Sequence, residues 1–203
     1  MINLKNYIIE SILDIEDNID NIDESIKDQI KQFLNNNFKN ASNYIISKKP
    51  NKNGKFEVSS KGDVVVKNKS ITSLNNGLFI WTNIKGDFCG NWCASLTSLE
   101  GAPEKVGGDF FCNDCVSLKS LEGAPKEVGG SFFCNYCASL TSLEGAPKKV
   151  SGNFYCNYCT SLTSLEGAPK EVGGDFSCGY CKNIFTKEDV KKVSNVKGTI
   201  DVW

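Results

Sequence analysis

The sequence predicts a repeat solenoid, mainly β, with a parallel strand ladder and a non-helical return side, preceded by an α-helical segment and a β-hairpin cap. Three observations predict it. Four blocks of 22 residues follow one another in register: DFCGNWCASLTSLEGAPEKVGG from Asp87, DFFCNDCVSLKSLEGAPKEVGG from Asp109, SFFCNYCASLTSLEGAPKKVSG from Ser131 and NFYCNYCTSLTSLEGAPKEVGG from Asn153. A strict period with variation confined to a few columns is the signature of stacked repeats. Within each block, large apolar and cysteine side chains alternate with polar ones, the pattern of a strand with one buried face. The stretch EGAPKEV is too short and too rich in Gly and Pro for a helix, so the return path is expected as turns or short extended segments.

The helical segment is assigned to residues 1–40. From Leu4 the apolar residues Leu4, Ile8, Ile12, Ile15, Ile19, Ile22, Ile26, Ile30, Leu34 and Phe38 step by three or four, the spacing of one helical face. The run DNIDNIDES from Asp17 is a candidate break, with Asp23 able to cap a second helix. Two short helices or one long one fit the pattern. The isoleucine seam suits packing onto the solenoid or a partner better than a self-standing coiled coil, for which the heptads are too few.

Residues 41–61 read as a hairpin, with NYIIS and KFEVS flanking the turn signal PNKNG at Pro50 to Gly54. The solenoid spans 62–203. Its first turn is degenerate, since GDVVVKNKSITSL from Gly62 aligns with GDFFCNDCVSLKSL from Gly108, and an insertion, NNGLFIWTNIK, runs to Lys85. In the last turn LTSLEGAP gives way to FTKEDVKKV, where Thr186 is a helix N-cap candidate with Asp189 three residues on. The final GTIDVW from Gly198 restates the repeat's strand. Atypical ends are expected, because a solenoid must close its core.

Within a block the spacing resembles the leucine-rich repeat, whose core segment is LxxLxLxxN or LxxLxLxxC. Phe110 and Cys112 match the strand leucines, Cys115 the Asn or Cys column and Leu118 the next leucine, with Leu121, Ala124, Pro125 and Val128 on the return path. The phrase SLTSLEGAPKEVGG is also similar to repeats of uncharacterised proteins from gut bacteria and their phages. That resemblance implies a solenoid and supplies no activity.

Alternation sorts the columns. Inward fall Phe88, Phe110, Phe132, Phe154 and Phe176, then Cys112, Cys134, Cys156 and Cys178, then Cys93, Cys115, Cys137, Cys159 and Cys181. Outward fall Cys89, Phe111, Phe133, Tyr155 and Ser177, then Asn91, Asn113, Asn135, Asn157 and Gly179, then Trp92, Asp114, Tyr136, Tyr158 and Tyr180.

Ten cysteines, mostly as CxxC, raise zinc and disulfides as alternatives to buried thiols. The first block has Cys89 where the others have Phe or Tyr, and Gly90 where they have the inward cysteine, a shift that obligatory pairs would not tolerate. Reduced structural thiols are therefore the expectation, with no metal and no cofactor. Cys89, read as outward, is the candidate reactive thiol.

The formal net charge of −1 provides no global field for nucleic acid or an anionic membrane. Histidine is absent and every basic residue is lysine, which removes the commonest general base. No apolar run approaches the roughly 18–20 residues of a membrane span, and the start turns acidic before a signal-type stretch is complete. A cytoplasmic protein of a bacterial host, or one associated with a phage particle, is expected. The charges Glu104, Lys105, Lys126, Glu127, Lys148, Lys149, Lys170 and Glu171 read as a solvated rim.

Function is expected on the outward face, in a non-enzymatic interaction module. Asn91, Trp92, Phe111, Asn113, Phe133, Asn135, Tyr136, Tyr155, Asn157, Tyr158 and Tyr180 are its candidate site residues. Exposed aromatics mark contact surfaces, while the same rings could simply stack on one another. A protein partner is the first expectation and a glycan the alternative; an accessory role in a phage particle or host assembly, and a zinc or redox role, are further alternatives. Self-association would use the helical segment or the edge strand at GTIDVW.

Overall fold

The computed structural model describes residues 4–39 and 43–202, with side chains in the first helix from Asp20 onward. One α-helix, α1 (Leu4–Asn37), leads into β1 (Tyr44–Ile46), β2 (Phe56–Ser60), β3 (Val64–Val65) and β4 (Phe79–Ile84). The regular turns follow as β5 (Phe88–Cys89), β6 (Lys105–Val106), β7 (Phe110–Phe111), β8 (Glu127–Val128), β9 (Phe132–Phe133), β10 (Lys149–Val150), β11 (Phe154–Tyr155), β12 (Glu171–Val172) and β13 (Phe176–Ser177). The chain closes with α2 (Lys187–Val193), β14 (Asn195–Val196) and β15 (Ile200–Asp201).

These strands form two ladders. The first, a 7-stranded parallel sheet, stacks β3, β5, β7, β9, β11, β13 and β15 in chain order. The return side forms a second parallel ladder through β2, β4, β6, β8, β10, β12 and β14, with β1 added antiparallel at its edge. Each regular turn thus contributes one two-residue strand to each ladder, giving a β-solenoid. Strands this short are stable because every residue pairs with an equivalent one above and below: Phe110 with Phe88 and Phe132, Val128 with Val106 and Val150.

The core is a set of vertical files. Phe88, Phe110, Phe132, Phe154 and Phe176 are all buried, with Phe88, Phe110 and Phe132 stacked face to face at 4.8 and 5.1 Å. Leu96, Leu118, Leu140 and Leu162 form a second file, Leu99, Leu121, Leu143 and Leu165 a third, and Val106, Val128, Val150 and Val172 a fourth. Burying each such side chain contributes about 1.5–3 kcal/mol. At the EGAP turn the chain needs a left-handed residue, and Gly123, at φ +85°, also lies so close to the turn before that a Cβ would sit 2.4 Å from the Glu100 backbone. The rim charges pair across turns, Lys105 with Glu127 at 2.9 Å and Lys126 with Glu104 at 3.0 Å, exposed contacts of about 0–1 kcal/mol each.

The first helix is continuous, so Asp23 lies within it and caps nothing. Asp23 is buried, with one carboxylate oxygen lacking a hydrogen bond and Lys49 Nζ 3.5 Å away, an ion contact too long for a hydrogen bond; Lys49 also pairs with Asp20. The expected seam is used only in part. Ile30, Leu34 and Phe38 are buried against the first turn, Ile26 is half-buried and Ile22 is exposed. The side chains of Leu4, Ile8, Ile12, Ile15 and Ile19 lie outside the described residues, as does Trp203.

Phe38 pairs with Val66 in an isolated antiparallel bridge, and its ring meets Trp81 edge-on at 5.4 Å. The end of α1 therefore plugs the open end of the core. Trp81 is fully buried and its indole N–H donates to Leu74 O at 2.9 Å. The opposite end is covered by α2 through buried Val190. Thr186 and Asp189 form a complete capping box at its start.

Candidate functional site

The outward face is built at the corner where the chain leaves each strand. After two strand residues, Phe110 in and Phe111 out, Cys112 turns in, Asn113 lies half-buried and Asp114 takes a left-handed conformation at φ 57° before Cys115 turns in again. The same conformation recurs at Trp92 (φ 60°), Tyr136 (59°), Tyr158 (59°) and Tyr180 (56°). These residues stand on a corner and not on a strand, which corrects the alternation-based placement: the strand ends before alternation reaches them. Ser177 and Gly179, also expected outward, are buried beneath the last turn.

Two aromatic files run along this corner. Phe111, Phe133 and Tyr155 are half-buried, with Phe111 and Phe133 stacked at 4.8 Å and Tyr155 tilted by 42° at 5.3 Å from Phe133. Tyr136, Tyr158 and Tyr180 are exposed and stack at 4.7 and 4.6 Å with planes within 5°. Trp92 is 63% exposed. Each stacked ring covers its neighbour's face, so the tyrosine file offers edges and hydroxyls to solvent. Tyr158 is held above the usual phenol range by lost hydration and by Tyr136 and Tyr180 alongside, so its hydroxyl stays protonated.

Between the files, the asparagines are not free polar groups. Asn113 N–H donates to Asn91 Oδ1 at 2.8 Å, Asn135 to Asn113 at 2.9 Å, Asn157 to Asn135 at 2.9 Å and Gly179 to Asn157 at 2.7 Å. Asn135 Nδ2 and Asn157 Nδ2 also donate to the oxygen of the preceding asparagine. Their side-chain oxygens take over one rung of the ladder at the corner, while the next amide in each turn still bonds backbone to backbone, as Asp114 N–H does to Asn135 O at 2.9 Å. Sequence reading found this column but not its task, because an outward polar residue and a half-buried ladder residue look alike in a string.

A second polar ladder went unread. Asp87 N–H donates to Asp63 Oδ1, Asp109 to Asp87, Ser131 to Asp109, Asn153 to Ser131 Oγ and Asp175 to Asn153, at 2.6–3.0 Å. Neutral Ser131 and Asn153 interrupt what would otherwise be an unbroken file of carboxylates one strand spacing apart, where like charges repel. The departures from GD at the block starts are its sequence signal.

The cysteines line the interior behind these files. Eight are buried, while Cys89 and Cys181 are partly exposed. Burial pushes the thiols of Cys112, Cys134 and Cys156 well up, and raises that of Cys89 against the opposing pull of Lys69. Cys89 is thus half-buried with a thiol harder to ionise than usual, which argues against a reactive role. Among the described residues no group of three or more Cys, Asp or Glu side chains converges as a cation site. Among them, too, no helix is long and apolar enough to cross a membrane.

No family model, curated protein or solved structure matches the chain.

Proposed function

We propose that the protein is a non-enzymatic interaction module that presents its aromatic corner to a protein partner. One observation carries this reading: four large aromatic residues, Trp92, Tyr136, Tyr158 and Tyr180, occupy an exposed left-handed corner. That conformation disfavours non-glycine residues by about 1–2 kcal/mol each, and exposed rings recover little of this by burial. Stacking returns about 0.5–1.5 kcal/mol per pair. Asn or Gly would suit the backbone better, and Asp114 occupies the same corner without a ring. Stability alone therefore does not favour aromatics there.

A protein suits the face better than a glycan. Sugars stack on ring faces, whereas these faces are largely covered by neighbouring rings. Tyrosine edges with hydroxyls instead resemble the contact-rich side chains of protein hot spots. The likeness of the repeat to leucine-rich repeats, and to repeats of gut bacteria and phages, adds no activity to this reading.

The test is a triple variant, Tyr136→Asn, Tyr158→Asn and Tyr180→Asn, since asparagine accepts the left-handed corner. It should keep the parent's β signal and thermal midpoint while losing capture of the partner, identified by mass spectrometry from the native host. Undiminished capture of the same partner would overturn the proposal.

A further inference from the structure

The exposed corner file has a gap. Its residues run Trp92, Asp114, Tyr136, Tyr158 and Tyr180, all at φ 56–60°, and from Tyr136 onward one ring per turn stacks at 4.6–4.7 Å. In the turn of Asp114 the corner position carries no ring. Trp92 and Tyr136 stand two turns apart, roughly 9.5 Å from two strand spacings, and the face of Tyr136 not covered by Tyr158 looks toward Asp114.

We propose that Trp92, Asp114 and Tyr136 form a slot for a guanidinium group, the head of an arginine side chain on a protein partner; this rests on the reading of the corner as an interaction surface. A planar group midway between the two ring positions lies about 4.7 Å from each, within the ~6 Å reach of a cation–π contact. It completes the stack in place of the missing ring. Asp114 supplies the charge: its amide is committed to Asn135 O, while among the described residues no ion pair engages its carboxylate. Lys69, two turns before Asp114, is held by the carbonyls of Val66 and Asn91 at 2.7 and 2.9 Å.

Chemistry selects the occupant. A neutral ring would fill the space but strip water from the Asp114 carboxylate without replacing its hydrogen bonds. An ammonium would satisfy the charge without supplying a flat surface to stack on the open face of Tyr136. Guanidinium does both, being flat, cationic and able to present paired N–H groups to a carboxylate.

The experiment uses the full chain with 15N-labelled tryptophan, titrated with N-acetyl-arginine amide, N-acetyl-lysine amide and N-acetyl-citrulline amide, citrulline being the uncharged isostere. The Trp92 indole resonance, assigned with Trp92→Phe, should shift saturably with the arginine probe. That of Trp81, buried and bonded to Leu74 O, should not move. Lysine and citrulline probes should bind more weakly, and Asp114→Asn should weaken the arginine probe about fivefold, the scale of one exposed charge pair. Asp114→Tyr, which restores the ring found in later turns, should abolish the shift.

Absence of a saturable Trp92 shift, equal binding of lysine or citrulline, or unchanged binding to Asp114→Asn would overturn the slot. The two readings separate cleanly. If Asp114→Tyr captures the partner normally while the triple asparagine variant does not, the slot falls and the interaction face stands. If the triple variant captures normally, the face itself falls.

Discussion

The Cys137 thiol donates to the backbone carbonyl of Cys112, one turn earlier, at 3.2 Å. The same bond recurs from Cys115 to Gly90, from Cys159 to Cys134 and from Cys181 to Cys156, each at 3.3 Å. Its origin lies in the corner. In a parallel ladder continued past the strand, the Asn135 amide would take the Cys112 carbonyl, but it donates to Asn113 Oδ1 instead. The freed carbonyl faces the core, and a small apolar side chain carrying one donor satisfies it. Asparagine outside and cysteine inside are thus two halves of one device that turns the chain.

The two cysteine columns should consequently differ under mutation. Cys137→Ala leaves the buried Cys112 carbonyl without a donor, which costs about 1–3 kcal/mol. Cys134→Ala removes a buried sulfur for which no such bond is present, and should cost about 1 kcal/mol from lost packing. Urea unfolding should place Cys137→Ala below Cys134→Ala. Equal losses would show that the thiol acts only as filler.

Asn135 should behave as a structural residue despite its place on the outward face. Asn135→Ala removes the acceptor of the Asn157 amide and the donor to Asn113 Oδ1, for an expected loss of about 1–3 kcal/mol. Asn135→Asp keeps the acceptor and should retain more stability than Asn135→Ala. Thermal unfolding of the two variants compares them, and an unaffected alanine variant would refute the ladder's role.

The sequence exposed what repeats and hid what bends. Phe110, Cys112, Cys115 and Leu118 could be placed inward because a 22-residue period, read against strand alternation, leaves only one buried face. Thr186 and Asp189 were legible because a capping box is local. The left-handed corner at Tyr136 was not, since tyrosine carries no propensity for positive φ and alternation was carried beyond a strand that ends at Phe133. Asp17 to Asp23 suggested a broken helix, yet Asp and Asn cost a helix interior only some tenths of a kcal/mol each. Buried Ile30, Leu34 and Phe38 anchor the far end. Among the candidate site residues, the exposed tyrosines were readable, whereas the gap at Asp114 gains meaning only once its neighbours are known to stack.

Native thiol labelling should report burial before acidity. Cys89 and Cys181 are the partly exposed cysteines, and burial holds Cys181 up at about 11. Both should react slowly with a maleimide, and the other eight only after denaturation. Cys93 is the stringent case. Its thiol is pushed down by the Cys115 S–H, although that proton also has the Gly90 carbonyl, a stronger acceptor, at 3.3 Å. Being fully buried, Cys93 should stay unlabelled in the folded protein; mass-spectrometric detection of early Cys93 labelling would show that the turn starting at Asp87 opens.

The capping box of α2 should titrate in acid. Asp189 is held down at about 2 by the Thr186 hydroxyl, then by Lys192 and the Thr186 amide. A carboxyl depressed in the fold stabilises it fully above the ordinary carboxylate value, and that contribution is lost as pH falls through about 2. The expected result is that the Thr186 and Asp189 amides, which bond Asp189 Oδ2 and Thr186 Oγ1 at 3.1 and 3.2 Å, lose exchange protection as pH drops toward that value. Asp189→Asn should remove this acid step, and Thr186→Ala should move the Asp189 titration back toward the ordinary range. Protection that stays constant through the acid titration of Asp189 would mean that packing of Val190, and not the carboxylate, holds the first turn of α2.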